Sequence, residues 1–211
     1  MISYRKLKHK DKKYITNYIN QAWFEEENVN EKAKKLYSIG YYYMYLRLSN
    51  YVEIATNEQN ECVGFVFGRG KHVNIFRYLY YTIPYLITGL RLFLFKDGRR
   101  GLKVEFKTFK INKNLRKQVK EKIEGELQLF IVNENYRKNG IGTTLQKNFI
   151  EYLKKHNSNN YSLYTDTFSN YQYYDNNGFK KVAEMEVDFG FEDQLQEDGS
   201  LPKYFIYLKS I

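Results

Sequence analysis

Cysteine, proline and histidine are scarce in this chain of 211 residues, which argues against disulfides, flexible linkers and metal sites. The single cysteine, Cys62, cannot form an intramolecular disulfide, and the apolar run 62–67 around it predicts a buried, unreactive thiol. Two prolines and no serine- or glycine-rich tract leave no sign of a flexible linker, so we expect one domain over residues 1–211. Three dispersed histidines give no metal-ligand spacing, and we expect no metal.

Long apolar runs are missing as well. The N-terminus shows no apolar signal region, and the longest apolar stretch, residues 78–95, is interrupted by Arg91 and is short for a membrane span. We therefore expect no transmembrane segment and a cytoplasmic location.

Acidic residues are fewer than basic ones, with 24 Asp and Glu against 34 Lys and Arg and a formal net charge of +10. Such an excess serves solubility, or it indicates a polyanionic partner such as nucleic acid, an anionic membrane surface or a phosphorylated cofactor. Hydrophobic residues make up 43% of the chain, which is too many for a disordered protein, so we expect a folded core.

The stretch 126–145 carries the clearest pattern in the chain. Residues 126–132 form an apolar and β-branched run long enough for a strand, and a helical pattern begins at Gly140. A strand, a glycine-containing turn and a helix direct unpaired backbone N–H groups at an anion, and Arg137 and Lys138 add full positive charges. The pattern predicts a phosphate-binding loop.

The spacing within this loop excludes two common phosphate motifs. A dinucleotide fingerprint needs a glycine where Leu145 stands, and a nucleoside-triphosphate loop needs a lysine after Gly142, where Thr143 stands. The remaining pattern, RKNGIG over residues 137–142, resembles the Arg/Gln-x-x-Gly-x-Gly/Ala pyrophosphate loop of the GNAT superfamily of N-acetyltransferases. Alone, the six residues also fit a glycine-containing turn without a ligand.

A second segment strengthens the resemblance. Residues 170–179, NYQYYDNNGF, are similar to the family stretch Asn-x-x-Phe-Tyr-x-x-x-Gly-Phe, with Tyr173 in place of the usual phenylalanine. The segment follows the loop after one helix and one strand (residues 161–165), which is the order that the family shows. The chain therefore resembles the GNAT superfamily over about residues 126–179, whereas residues 71–120 show no resemblance.

The resemblance implies an α/β (α+β) fold: a GNAT-like mixed, mostly antiparallel twisted sheet of about six to seven strands flanked by helices, with a helical insertion before the central strand. The sequence pattern predicts a helix capped by Asp11 and a second helix from about Glu31. Strands are predicted at residues 2–7, 51–56, 62–68, 126–132, 161–165, 180–189 and 203–208.

The resemblance also implies acetyl-CoA as cosubstrate, with no metal. Its pantetheine arm would pair with the end of the central strand, its pyrophosphate would lie on the loop, and an asparagine side chain would reach the arm. The matching residues are Phe130, Ile131 and Val132 for the strand, Arg137, Lys138, Asn139, Gly140, Ile141, Gly142 and Thr143 for the loop, and Asn170 for the side chain.

Two residues match catalytic positions of the family. Tyr174 matches the tyrosine that serves as general acid in many relatives, and a phenol with a pKa of about 10 is protonated at neutral pH. The alternative is one more packed tyrosine among 22. Glu126 occupies a position where several relatives carry a glutamate base, and strand alternation places it on one face with Glu124 and Gln128. An exposed strand glutamate is the alternative, since an amine can also lose its proton to solvent.

The insertion, residues 71–120, separates the third strand from the central one. Its first part is apolar and aromatic, and Pro84 and Gly89 predict that any helix there is bent or divided. Its second part mixes lysine and arginine with aromatic residues, which suits nucleic acid or a membrane surface. We favour the simpler interpretation, amphipathic helices that cover the sheet or form a homodimer contact, and we expect no nucleic-acid partner.

The leading hypothesis is an acetyl-CoA-dependent N-acetyltransferase acting on a primary amine of a small molecule or protein. The alternatives are a non-catalytic acyl-CoA-binding regulatory module, and nucleic-acid or membrane-surface binding through the insertion. The acidic segment 192–198 could attract an amine, although a solvated loop is the commoner explanation. The positive net charge mildly disfavours polycationic acceptors.

Overall fold

A computed structural model describes residues 1–25, 29–190, 195–196 and 198–211 of the chain. Its centre is a seven-stranded sheet in the order β1-β2-β3-β4-β5-β7-β6, and every neighbouring pair is antiparallel except β4 and β5. The prediction of a mixed, mostly antiparallel sheet is confirmed. The strands are β1 (Ser3–Lys6), β2 (Tyr51–Thr56), β3 (Cys62–Arg69), β4 (Glu126–Val132), β5 (Asn160–Asp166), β6 (Lys180–Glu186) and β7 (Lys203–Ser210).

Helices cover both faces of the sheet. They are α1 (Lys12–Trp23), α2 (Glu31–Leu48), α3 (Ile75–Phe93), α4 (Lys96–Gln118), α5 (Ile141–Lys155) and α6 (Gln172–Asn176). No helix in the described part of the chain is long and apolar enough to cross a membrane. The acidic segment 192–198 lies largely outside the described residues.

Alternation along the strands divides the core between the two faces. On one face, Leu145 and Phe149 of α5 are fully buried against strand residues such as Tyr207. On the other face, α1 and α2 pack on β2 and β3 through residues such as Ile15 and Phe65, and α4 packs on β6 and β7. The sheet thus has α5 on one side and α1, α2 and α4 on the other.

Asp11 is the N-cap residue of α1, as predicted, but its side chain makes no capping hydrogen bond to that helix. Its fully buried carboxylate instead accepts two hydrogen bonds from the Arg5 guanidinium, at 2.7 and 2.8 Å, and one from the Lys8 N–H at 2.8 Å. Burial raises the pKa of Asp11, but the hydrogen bonds from Arg5 and Lys8 outweigh it and hold the pKa below its usual value. The residue joins β1 to the start of the first helix.

The insertion forms a hairpin of two long helices, α3 and α4. Helix α3 continues through both Pro84 and Gly89, so the predicted division is wrong. Its inner side packs on α2, and this tertiary contact offsets the poor helix propensity of the two residues. Of these two helices, α4 packs on β6 and β7, whereas α3 packs mainly on α2.

Candidate functional site

The neighbouring parallel strands β4 and β5 pair at a single position. Glu126 stands opposite Ser162, and the Ser162 N–H donates to the Gly125 carbonyl at 3.0 Å. Beyond this point no further pairing joins the two strands within the described residues, whereas the other edge of β4 pairs with β3 as far as Val132. The N–H and C=O groups of Ile131 face β3, so the β5-facing edge of β4 offers the backbone groups of Phe130 and Val132 to an extended ligand.

A β-bulge at Gln128 interrupts β4 just before this free edge. Phe67 pairs with Leu129 and Gly68 pairs with Leu127, so Gln128 is an extra residue. Leu127 packs on the α5 side of the sheet and Leu129 packs on the α1–α2 side. The bulge breaks the alternation assumed from the sequence.

The sequence predicted that Glu124, Glu126 and Gln128 share one face of β4, and the structure places only two of them together. Gln128 donates to Glu126 at 3.4 Å, so these two residues do share a side. Glu124 precedes the strand and is held in a separate network, in which its carboxylate accepts from the Asn159 N–H at 2.8 Å. The prediction is therefore wrong for Glu124, whose carboxylate binds the loop before β5.

The turn after β4 leads directly to the N-terminus of α5. Lys138 and Gly140 adopt left-handed backbone conformations, with φ angles of 64° and 72°, and Gly140 is the N-cap residue. A left-handed residue beside right-handed ones turns successive N–H groups to the same side. In the described part of the chain, none of the N–H groups of residues 138–143 donates to a protein acceptor.

The side chains of this loop leave its amides accessible. Arg137, Lys138, Asn139 and Thr143 are exposed, whereas Ile141 is buried and anchors the first turn of α5 in the core. The Arg137 guanidinium also donates to the Val132 carbonyl at 3.3 Å, which joins the loop to the end of β4. Six free amides, two cations and the positive end of a helix dipole form a site suited to a pyrophosphate. The sequence predicted the free amides, the two cations and the helix N-terminus, and the binding of a pyrophosphate by them stays a prediction.

Tyr174 lies on α6, beside the opening between β4 and β5. Its ring packs on Phe179 and Tyr207 with centroid distances of 5.3 and 5.7 Å, and burial raises its pKa to about 12. The ring of the preceding Tyr173 lies 6.4 Å from that of Phe130. Asn170 is exposed in the loop before α6. The structure thus brings the second sequence motif to the free edge of β4.

Glu126 lies at the first position of β4, on the side of the sheet that α2 covers. Its carboxylate forms an ion pair of 2.7 Å with Arg69 of β3, and both side chains are partly exposed. The carboxylate is therefore held in one orientation at the point where β4 and β5 begin to separate.

The sequence did not predict a group of carboxylates and tyrosines that lies on the side of the sheet covered by α2 and α4. Glu105 of α4 accepts a hydrogen bond of 2.6 Å from the Tyr41 hydroxyl of α2, and burial raises the pKa of Glu105. Burial and the nearby carboxylates of Glu105, Asp166 and Glu126 raise the pKa of Tyr45. One signal was available, since Glu105 is one of two acidic residues among 13 lysines and arginines in residues 71–120.

These side chains do not form a metal centre. Among residues 1–25, 29–190, 195–196 and 198–211, no three His, Cys, Asp or Glu side chains are grouped so that they could hold a metal ion.

The open edge of β4 leads into a loop of free N–H groups, an arrangement that suits an extended ligand bearing phosphate. A family model described as the acetyltransferase (GNAT) family matches residues 14–179. The chain belongs to this family. The predicted superfamily is thereby confirmed, as is the prediction of an enzyme of the acetyltransferase class. No curated protein matches the chain.

Solved structures share the fold over the whole chain. The protein PH1933 of Pyrococcus horikoshii OT3 has a TM-score of 0.58 and 14% identity, and the match covers 100% of this chain and 99% of that one. The PaiA N-acetyltransferase of Thermoplasma acidophilum, solved in complex with coenzyme A, has a TM-score of 0.54, 15% identity and the same coverage. Ard1 of Thermoplasma volcanium has a TM-score of 0.53 and 14% identity, with coverage of 100% and 97%. At these identities the likeness establishes the fold and leaves the acceptor open.

Proposed function

We propose that the protein is an acetyl-CoA-dependent N-acetyltransferase that acetylates a primary amine. The observation that carries the proposal is the free edge of β4 leading into a loop with six unbonded amides. Coenzyme A presents its groups in the matching order, an extended amide-containing arm followed by a pyrophosphate. The coenzyme A bound to the PaiA N-acetyltransferase, which has the same fold, supports this assignment.

Acetyl-CoA is the cosubstrate in this proposal. Its pantetheine arm lies along Phe130, Ile131 and Val132 and pairs with the backbone groups of Phe130 and Val132, and the side chain of Asn170 contacts the arm from the α6 side. The pyrophosphate takes hydrogen bonds from the amides of residues 138–143, with Arg137 and Lys138 beside it. The thioester then lies between β4 and β5, near the start of their separation.

Acetyl transfer needs a neutral amine and a stabilised leaving group. The amine nitrogen attacks the thioester carbonyl, the C–S bond breaks, the amine loses a proton and the sulfur gains one. The thiol of coenzyme A has a pKa near the ordinary thiol value of about 8.5, which is below the pKa of about 12 of Tyr174. We therefore assign Tyr174 as a hydrogen-bond donor that stabilises the leaving sulfur.

The amine enters from the side of the sheet that carries α2 and α4. Glu105, Asp166 and Glu126 lie around Tyr45 on this side, with Arg47 near Glu105 and Arg69 paired with Glu126. Glu126 lies at the opening and takes the proton of the amine, directly or through water. A cytoplasmic location stays a prediction.

Thermal unfolding with and without acetyl-CoA tests the proposal. At about a hundred times the dissociation constant, a ligand that binds only the folded state adds roughly 2.7 kcal/mol to the free energy of unfolding. We expect this shift with acetyl-CoA and none with NADH or ATP, followed by thiol release when a suitable amine is added. Stabilisation without thiol release for any amine would favour a non-catalytic acyl-CoA-binding module.

Replacing Tyr174 by phenylalanine should lower kcat about 10- to 100-fold, the value of one hydrogen bond to a charged group. The affinity for acetyl-CoA should stay unchanged, because the ring contacts remain. Since the phenol keeps its proton below a pKa of about 12, the ratio of wild-type to variant rates should be constant from about pH 7 to pH 10. Thiol release at saturating cosubstrate measures kcat and its pH dependence, and isothermal titration with acetyl-CoA measures the affinity.

Tyr173→Phe is the matched control for this variant. It removes a neighbouring hydroxyl from α6 and introduces the residue that the family motif usually carries, so we expect turnover near that of the wild type. A fully active Tyr174→Phe variant would show that the leaving sulfur does not need a hydrogen bond from the Tyr174 hydroxyl.

Replacing Glu126 by glutamine should slow the reaction more at about pH 6 than at about pH 9, because solvent deprotonates more of the amine at the higher pH. Rates measured over this range with Glu151→Gln, an exposed position on α5, serve as the comparison. An effect that does not vary with pH would argue that Glu126 positions groups through its ion pair with Arg69 instead of accepting the proton.

A further inference from the structure

Helix α3 turns a continuous aliphatic and aromatic side to solvent. The exposed positions are spaced three and four residues apart and so lie on one face of the helix. Phe76 is 82% exposed and Leu90 is 70% exposed. The α3 apolar face is defined by Phe76, Leu79, Ile83, Leu86, Leu90 and Phe93.

The inner side of α3 carries the polar groups. The Arg77 guanidinium donates to the Leu46 carbonyl of α2 at 2.9 Å, and Thr88 is buried between the helices. The Arg47 guanidinium of α2 lies over the rings of Tyr78 and Tyr85, at 4.9 and 4.4 Å from their centroids. A surface helix in water normally has the reverse polarity, with apolar residues inward. The outer side of α3 is therefore built for an apolar environment.

The net positive charge of the protein is concentrated in the same hairpin. Residues 71–120 contain 13 of the 34 lysines and arginines but only 2 of the 24 acidic residues. Both of these acids bond inward, Asp97 to the Asn30 N–H and Glu105 to the Tyr41 hydroxyl. The charged side chains that the hairpin exposes, such as Lys96, Lys103 and Lys110, are basic.

Helix α4 also exposes two phenylalanines. Phe106 and Phe109 are 69% and 68% exposed and alternate with the exposed lysines of that helix. Apolar side chains on one surface, flanked by exposed lysines, are the pattern of a helix that lies in the interface of an anionic bilayer.

The charge pattern indicates which kind of partner fits this surface. A second copy of the chain would bring two strongly basic hairpins together, and their like charges would oppose the contact. Nucleic acid would contact the lysines but would leave the aliphatic face in water. An anionic phospholipid bilayer satisfies both parts of the surface, because acyl chains accept the apolar side chains and headgroups pair with the lysines.

We propose that the α3–α4 hairpin binds the surface of membranes rich in anionic phospholipid. In this arrangement α3 lies parallel to the bilayer with its apolar face among the acyl chains, and the basic side chains of α4 contact the headgroups. The inference does not depend on the proposed acetyl transfer, because the surface lies outside the cofactor site.

Cosedimentation of the full chain with lipid vesicles tests the proposal. With about 30% phosphatidylglycerol in phosphatidylcholine and about 50 mM salt, we expect binding at least about tenfold tighter than to phosphatidylcholine alone, and weaker binding at about 300 mM salt. Absence of binding to both kinds of vesicle would overturn the proposal. So would equal binding to both, since anionic lipid would then play no part.

Two pairs of substitutions separate the apolar from the electrostatic contribution. The double variant Leu86→Gln, Leu90→Gln should weaken vesicle binding at least about tenfold, because it removes two large side chains from the α3 apolar face. Lys103→Gln with Lys110→Gln should weaken binding and reduce its salt dependence. Lys147→Gln with Lys154→Gln makes the same charge change on α5 and should bind as the wild type does.

Two further readouts keep the result interpretable. The unfolding temperature without lipid or ligand reports whether each variant is folded. Sedimentation equilibrium without lipid reports the oligomeric state, and a dimer that dissociates in the leucine double variant would overturn the proposal in favour of a contact between copies. Salt-sensitive binding to duplex nucleic acid in place of vesicles would overturn it in favour of nucleic acid.

Discussion

Replacing Gly142 by aspartate is expected to lower the affinity for acetyl-CoA at least about 100-fold. A Cβ atom at this position would lie 3.1 Å from Cζ of Phe130 and 3.7 Å from Cγ2 of Val132, between the first turn of α5 and the end of β4. A carboxylate there would lie next to the pyrophosphate. Two unit charges 4 Å apart repel by about 1 kcal/mol in water and about 4 kcal/mol near a protein surface, and the pyrophosphate carries more than one charge.

The fold should survive this substitution. A negative side chain in the first turn of a helix interacts favourably with the helix dipole, so α5 itself is not weakened electrostatically. Isothermal titration with acetyl-CoA measures the loss of affinity, and the unfolding temperature without ligand reports the fold.

Gly142→Ala is the control for the steric part of this effect. The added methyl group requires the ring of Phe130 to shift by a few tenths of an ångström, so we expect affinity within about tenfold of the wild type. Lys147→Glu introduces negative charge farther along α5 and controls for the general electrostatic effect. Unchanged affinity in Gly142→Asp would remove the assignment of this loop to the pyrophosphate.

The cofactor loop could be predicted from the sequence because its geometry depends on local residue types. The left-handed conformation at Gly140 favours glycine, and the spacing from β4 to α5 fixes where the free amides lie. Residues 170–179 were equally informative, since they form a short turn and helix whose tyrosine follows a fixed spacing. These two segments meet across β4 in the structure. The roles of their residues still rest on the variants proposed above.

The other side of the site depends on contacts between distant parts of the chain. Glu105 meets Tyr41 across 64 residues, and a local pattern in a lysine-rich helix gives no indication of that hydrogen bond. The bulge at Gln128 likewise depends on the pairing of β4 with β3. The period of an amphipathic helix also does not say which side faces inward. In α3 the inner side is the polar one, because it packs on α2, where the Arg47 guanidinium lies over the rings of Tyr78 and Tyr85.

The ion pair between Arg5 and Asp11 is another contact that the sequence did not predict, and it contributes to the stability of the fold. An aspartate before a helical pattern predicts an N-cap, yet the carboxylate turns to a guanidinium on β1. Asp11 is fully buried, and the Arg5 side chain is 17% exposed. Asp11→Asn should therefore lower the free energy of unfolding by about 2–4 kcal/mol, somewhat less than the 3–5 kcal/mol found for fully buried pairs. Glu184→Gln, in an exposed pair with Lys181, should cost less than about 1 kcal/mol.

The lowered pKa of Asp11 predicts how its contribution to the free energy of unfolding changes with pH. The pKa of Asp11 is lower in the folded state than in the unfolded chain, where it is about 3.9, so its stabilising contribution is complete above that value. It is lost as the pH falls from about 4 through the lower pKa of the folded state. Urea unfolding should thus show a constant difference between wild type and Asp11→Asn from about pH 5 to pH 8, and a smaller one at about pH 3. A difference that grew on acidification would contradict the ion pair, because an aspartate whose folded-state pKa was raised would gain stability as it took up its proton.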